Sequence, residues 1–136
     1  MAADHEQHLI QTDRLELHLV SPQQLEALFD GTFDNSSLLQ QGFSNPYKVL
    51  IEGPNPVRWR APQVALDLAS NRWFIRWIVL KEFREVIGSI SFHAPPDESG
   101  MVEVGIGIVT KFQNQGYAKE ALQAFWSWAT SQRAVK

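Results

Sequence analysis

The sequence predicts an α/β domain of the α+β kind, with a mainly antiparallel central sheet flanked by helices. Three observations carry this reading. Residues 14–20 alternate in polarity as a half-buried strand does. Residues 72–109 contain three β-rich runs with no helical stretch between them, which makes an antiparallel meander. From Tyr117 onward, apolar residues recur at helical spacing. The 136 residues fit a single domain, 1–136.

Composition bounds the function. At 44% hydrophobic residues, with 8 Phe and 5 Trp, the chain can build a core. A net charge of −3 excludes the basic footprint of a nucleic-acid-binding surface. Without cysteine there is no disulfide, thiolate metal site or thiol nucleophile, which agrees with a cytoplasmic location. The N-terminus "MAADHEQHLIQTDR" lacks the apolar segment of a secretory signal. No apolar run approaches the roughly 18–20 residues that span a bilayer, so no membrane partner is expected.

The elements follow in order. Leu15, Leu17 and Leu19 form one face of the first strand, with Glu16 and His18 on the other. In "SPQQLEALFDG", Ser21 caps a helix, Pro22 occupies its first position and Gly31 lies past its end. Residues 32–60 read as a short helix or turns and then a loop reaching Pro62. "APQVALDLASN" reads as another helix, with Val64, Leu66 and Leu68 partly buried. "RWFIRWIVL" is a strand with Trp73, Ile75 and Trp77 on one face, and "KEFRE" turns the chain. "VIGSISFHA" and "VEVGIGIV" are the next strands, with "PPDESG" as the loop between them. The last helix carries Ala118, Ala121, Leu122, Phe125 and Ala129 on its core side. Trp126 and Trp128 point about 200° apart on it, by the roughly 100° turn per residue. That helix therefore needs cover on more than one side.

The segment "KFQNQGYAKEAL", residues 111–122, sits between the last strand and this helix. The first N–H groups of a helix lack intrahelical acceptors, and the helix dipole adds partial positive charge there. Gly116 and Ala118 keep the approach to those donors open, and Lys111 and Lys119 flank it. A diphosphate suits such a place. Neither a Walker A loop nor a Rossmann fingerprint is present, since Gly105, Gly107 and Gly116 have the wrong spacing.

Gln113-Asn114-Gln115-Gly116-Tyr117-Ala118 does match the pattern Gln/Arg-x-x-Gly-x-Gly/Ala. Following an apolar strand and opening a helix, it resembles the GNAT N-acetyltransferase superfamily, and within it the ribosomal-protein N-terminal acetyltransferase-like branch. "QTDRLELHLV" is similar to that branch's opening strand, and "VIGSISF" to its third strand. "VEVGIGIVTKFQNQGYAKEAL" is similar to its fourth strand, pyrophosphate loop and following helix. The resemblance covers most of the chain.

It implies acetyl-CoA as co-substrate and no metal. Ile106, Gly107 and Ile108 would pair with the pantetheine arm through their backbone. The amides from Gln113 through Asn114, Gln115, Gly116 and Tyr117 to Ala118 would hold the diphosphate. The fourth strand often carries a bulge that admits the cofactor, and Gly105 and Gly107 suit one. The family continues with a further strand, helix and hairpin, so the sequence is expected to lack the C-terminal part of the fold, including the general acid.

Acetyl transfer to an amine needs a proton acceptor. Glu103 shares a strand face with Gly105 and Gly107 by alternation and is the candidate catalytic base, or else a solvated strand glutamate. His93 could relay a proton or be a surface hairpin histidine; Asp97 and Glu98 read as solubilising. Trp59, Trp73 and Trp77 could line an acceptor pocket, with core packing as the default. His5 and His8 have metal-like spacing but sit on a polar terminus, and no metal is assigned to them. Glu120, in the first helical turn, reads as structural. The expected function is acetyl-CoA-dependent transfer to a primary amine of a protein N-terminus or a small molecule. The alternative is a non-catalytic CoA-binding or protein-interaction module. An open strand edge leads us to expect a homodimer or swapped assembly.

Overall fold

The structure is a computed structural model and describes residues 9–52, 56–100 and 103–132. Five strands form one sheet in chain order: β1 (Ile10–Gln11), β2 (Leu15–Leu19), β3 (Arg76–Leu80), β4 (Glu85–Phe92) and β5 (Val104–Ile108). Every neighbouring pair is antiparallel. Helix α1 (Pro22–Asp30), a 3-10 segment (Asn35–Gln41), α2 (Val57–Leu66) and a second 3-10 segment (Leu68–Trp73) connect β2 to β3. Helix α3 (Tyr117–Thr130) follows β5. The strand that resembles the family's fourth is β5, because the short β1 precedes the others, and it forms an edge of the sheet.

Helix α1 starts and stops where its punctuation predicts. The Ser21 hydroxyl accepts from the Gln24 amide at 3.0 Å, and the Gln24 side chain accepts from the Ser21 amide at 3.1 Å. Gly31 leaves the helix at φ 82°, in the left-handed region. Other boundaries differ from expectation. Helix α2 begins at Val57 and contains Pro62. Pro62 removes an intrahelical hydrogen bond, but Val57 and Val64, seven residues apart on one face, are both 3% exposed. Their burial holds the helix together. It ends at Leu66, and Asp67 caps the next segment by accepting from the Ala69 amide at 3.2 Å. Leu66 and Leu68 are consequently exposed rather than partly buried.

Strand β3 is shorter than predicted. Trp73 lies in the 3-10 segment, and all five residues of β3 are buried, so no alternation survives. The same two-sided cover affects β2: Leu15 and Leu17 are buried as expected, but so is His18, whose ring lies 4.7 Å from that of Phe43, while Leu19 is only half-buried. On the α3 side, Phe125 stacks on Phe92 with centroids 4.2 Å apart, and Trp128 meets Trp73 at 5.2 Å. The buried guanidinium of Arg76 lies 4.8 Å from the Trp128 ring, and burial lowers its pKa to about 9. Trp126, on the other face of α3, is exposed.

The bulge predicted at Gly105 and Gly107 is absent: β4 and β5 pair in unbroken register from Gly88↔Ile108 to Phe92↔Val104. It lies one pair inward. Ile78 pairs with Gly88 and Val79 with Val86, which leaves Ile87 as the extra residue. Gly88, next to the bulge, has no room toward β5: a Cβ there would collide with the Gly107 carbonyl oxygen. The glycine demanded by close approach is therefore Gly88.

Candidate functional site

Residues on one face of β4 and β5 form the floor of a cleft of about 930 Å³. Ser89 pairs with Gly107 and Ser91 with Gly105, so small residues meet across the two strands. A Cβ added to Gly107 would find nothing within 4 Å, so the space above it is open. The wall opposite comes from Tyr47–Leu50, Trp59 and Arg60. The loop at 45–50 is set by buried Asn45, whose side chain donates to the Val49 carbonyl at 3.1 Å and accepts from the Val49 amide at 3.0 Å. An Asn35–Asn45 amide contact at 3.0 Å ties it to the 3-10 segment. Arg60 donates to the carbonyl of His93 and, at 2.5 Å, to Gln63, joining α2 to the end of β4.

The β5 edge has a definite polarity. The His93 amide donates to the Glu103 carbonyl, and the Val109 amide to that of Ile87. Antiparallel alternation then directs the backbone groups of 103, 105, 107 and 109 toward β4, and those of Val104, Ile106 and Ile108 outward. Of the three residues expected to pair with a pantetheine arm, Ile106 and Ile108 present their backbone to the open edge. Gly107 instead turns its backbone inward and contributes free space on the floor. The Ile108 carbonyl already accepts from the Gln113 side chain at 2.9 Å.

Past β5, a 3-10 turn (Thr110–Phe112) buries Phe112 and delivers four exposed residues, Gln113–Gly116. Asn114 has φ 64° and Gly116, the N-cap of α3, has φ 86°. Two left-handed residues with one residue between them bend the backbone sharply where α3 begins. Among the described residues no side chain caps α3, so the donors of its first turn, Tyr117, Ala118 and Lys119, remain for another acceptor. Tyr117 buries its ring while Ala118 and Lys119 stay at the surface. These donors lie just beyond β5, the strand at the sheet's edge. Glu120 does not face it. Its carboxylate accepts from the Thr12 hydroxyl, from the Arg14 amide at 3.0 Å and from Arg14 Nε at 2.8 Å.

His93 lines the cleft and Glu103 does not, its carboxylate Oε2 standing 3.7 Å from Nδ1 of the imidazole. Glu103 is far more exposed than His93, 87% against 50% for the side chains. Trp59 lines the cleft and is 61% exposed, whereas Trp73 and Trp77 are core residues. Sequence reasoning missed Arg14, Tyr47, Arg60 and the serines of β4. The alternation of Ser89 and Ser91 with buried Ile90 and Phe92 was the available signal for a polar floor. Among the described residues no group of three His, Asp or Glu could hold a metal ion. His5 and His8 lie outside the described residues.

Comparison with known proteins decides the family. The family profile of the Acetyltransferase (GNAT) domain matches residues 14–136. This chain belongs to the GNAT acetyltransferase family. Acetyl-CoA-dependent N-acetyl transfer is accordingly its activity at the level of the family. It is 30% identical over 132 residues to YjdG of Bacillus subtilis, an uncharacterised N-acetyltransferase, covering 93% of this chain and 75% of that one. It is also similar in fold to solved structures. One is RimL, a ribosomal L7/L12 α-N-protein acetyltransferase in complex with coenzyme A, at TM-score 0.57 and 21% identity, covering 94% of this chain and 71% of the other. Another is the acetyltransferase MccE with acetyl-CoA and AMP, at TM-score 0.54 and 16% identity, covering 92% and 67%.

Proposed function

We propose that this GNAT chain takes acetyl-CoA along the β5 edge and transfers the acetyl group to a primary amine, of a protein N-terminus or a small molecule, entering by the cleft. One observation carries the reading: an uncapped α3 N-terminus, with Asn114 and Gly116 both left-handed, lies directly beyond a free strand edge on a floor of Gly and Ser. Amides from Gln113 to Ala118 would hold the diphosphate, and Ile106 and Ile108 would pair with the pantetheine amides. Bound acetyl-CoA would supply the acyl group as a thioester: the amine nitrogen bonds to the acyl carbon as the C–S bond breaks, and CoA leaves as a thiolate that takes a proton from solvent. Glu103 would take the amine's proton at its carboxylate, and His93, 3.7 Å away, would pass it to solvent. The gap over Gly107 leaves room for the acyl group, and Trp59 and Tyr47 would exclude water from one side.

The cysteine-free sequence is in keeping with a cytoplasmic enzyme. The β5 edge and exposed Trp126 support a dimer or swapped assembly, but an edge taken by another chain cannot also pair with pantetheine. A non-catalytic CoA-binding module is the second reading, favoured by the exposure of Glu103. Calorimetric titration with acetyl-CoA, followed by mass spectrometry of an amine and peptide panel, tests both. Binding with transfer supports the enzyme, binding without transfer the module, and no binding refutes the cofactor site.

A further inference from the structure

Arg14 lies outside the cleft, at the turn between β1 and β2, yet it reaches the loop that opens α3. Its Nη1 donates to the Gln115 carbonyl at 3.1 Å and its Nε to Glu120 at 2.8 Å, while the guanidinium covers the Tyr117 ring at 4.3 Å. A Cβ on Gly116 would stand 3.3 Å from Nη2. Thr12, in the same turn, also donates to Glu120.

These contacts have two consequences. A trans peptide sets its C=O and N–H in opposite directions. With the Gln115 carbonyl drawn toward Arg14, the N–H of Gly116 points away from Arg14, on the open side of the loop. The second consequence is electrostatic. Glu120 lies in the first turn of α3, where the positive end of the helix attracts a carboxylate as it would a phosphate. Thr12 and Arg14 together engage both of its oxygens and draw it back against the β1–β2 turn. The helix end stays open to an external anion.

We infer that Arg14 is a positioning residue for diphosphate binding: it orients the Gln115–Gly116 peptide and withholds Glu120 from the anion site. This rests on the proposed CoA site. Arg14 acts through the loop amides and Glu120, and the ligand class is the diphosphate of a nucleotide-bearing thiol.

The test compares CoA with pantetheine, which lacks the diphosphate, by two-dimensional amide NMR titration of the whole chain. Arg14→Ala should weaken CoA about tenfold or more, the scale of a charge-assisted contact, and leave pantetheine affinity unchanged. Arg14→Ala combined with Glu120→Gln should recover part of the loss, because the released carboxylate no longer competes. A purely structural arginine would show equal losses for both ligands and a double variant no better than the single; either result overturns the inference. If Arg14→Ala does not fold, Arg14→Lys serves instead. A single amine cannot hold both partners in a fork, so the same CoA-selective loss is expected, and wild-type CoA affinity in that variant overturns the inference. Absence of CoA binding by the wild-type protein would instead refute the cofactor site, and the inference with it.

Discussion

Replacing Gly107 with valine separates the cleft from the fold. A Cβ there meets nothing within 4 Å, and the residue has none of the positive φ that restricts Gly116. The backbone therefore accepts valine without strain. Glycine inside regular structure costs roughly 0.5–1 kcal/mol relative to alanine, and valine is a strong strand former. Stability should stay level or rise by about that amount. The side chain, however, projects into the floor that Gly105, Gly107, Ser89 and Ser91 keep open. Strand β5 cannot retreat, since Gly107 is in register with Ser89 in the middle of the pairing. An acyl group seated over Gly107 would have to leave. We expect acetyl-CoA affinity and turnover to fall about a hundredfold or more, equivalent to about 2.7 kcal/mol. Urea unfolding and acetyl-CoA calorimetry on the same preparation read both quantities. A stable Gly107→Val protein that binds acetyl-CoA as the wild type does would refute the assignment of the cleft floor.

Other outcomes follow from the same geometry. Gly88→Ala should do the opposite of Gly107→Val and lower stability by about 1–3 kcal/mol, the scale of overpacking, because its Cβ has no room against Gly107; an unchanged urea midpoint would contradict this. Glu103→Gln should lower turnover more than acetyl-CoA affinity, and equal turnover would remove Glu103 from the catalytic role. Acid should destabilise the protein through Glu16 and Glu120. For each, burial raises the pKa, but hydrogen bonds from His18 and Arg84, or from Thr12 and Arg14, outweigh it and leave the value lowered. Their stabilisation is complete above about pH 4.5 and is lost as pH falls through the lowered values. Glu120→Gln should make the acid limb of a stability–pH curve shallower, and an identical limb would show that the Arg14 pair contributes nothing.

What was legible in the sequence was mostly local. Ser21, Pro22 and Gly31 act within one helix, and Gly116 with Ala118 within one turn, so adjacent residues reveal them. Misreadings arose where distant segments decide. Pro62 marks a helix start by propensity, but the burial of Val57 and Val64 carries the helix back to Val57. The glycines of β5 looked like a bulge, whereas the bulge belongs to Ile87 and shows only in the pairing with β3. Trp73 and Trp77 could not be separated from Trp59 until both sides of the sheet were covered. Arg14 was invisible as a site residue because its partners lie 101 and 106 positions away.

Acetyl-CoA is proposed to follow the β5 edge to the α3 N-terminus. A crystal structure of the chain with CoA tests it most directly. The diphosphate is expected on the amides between Gln113 and Ala118, and the pantetheine amides on the outward backbone groups of Ile106 and Ile108. A diphosphate bound elsewhere, or pantetheine paired through Gly107, would contradict it.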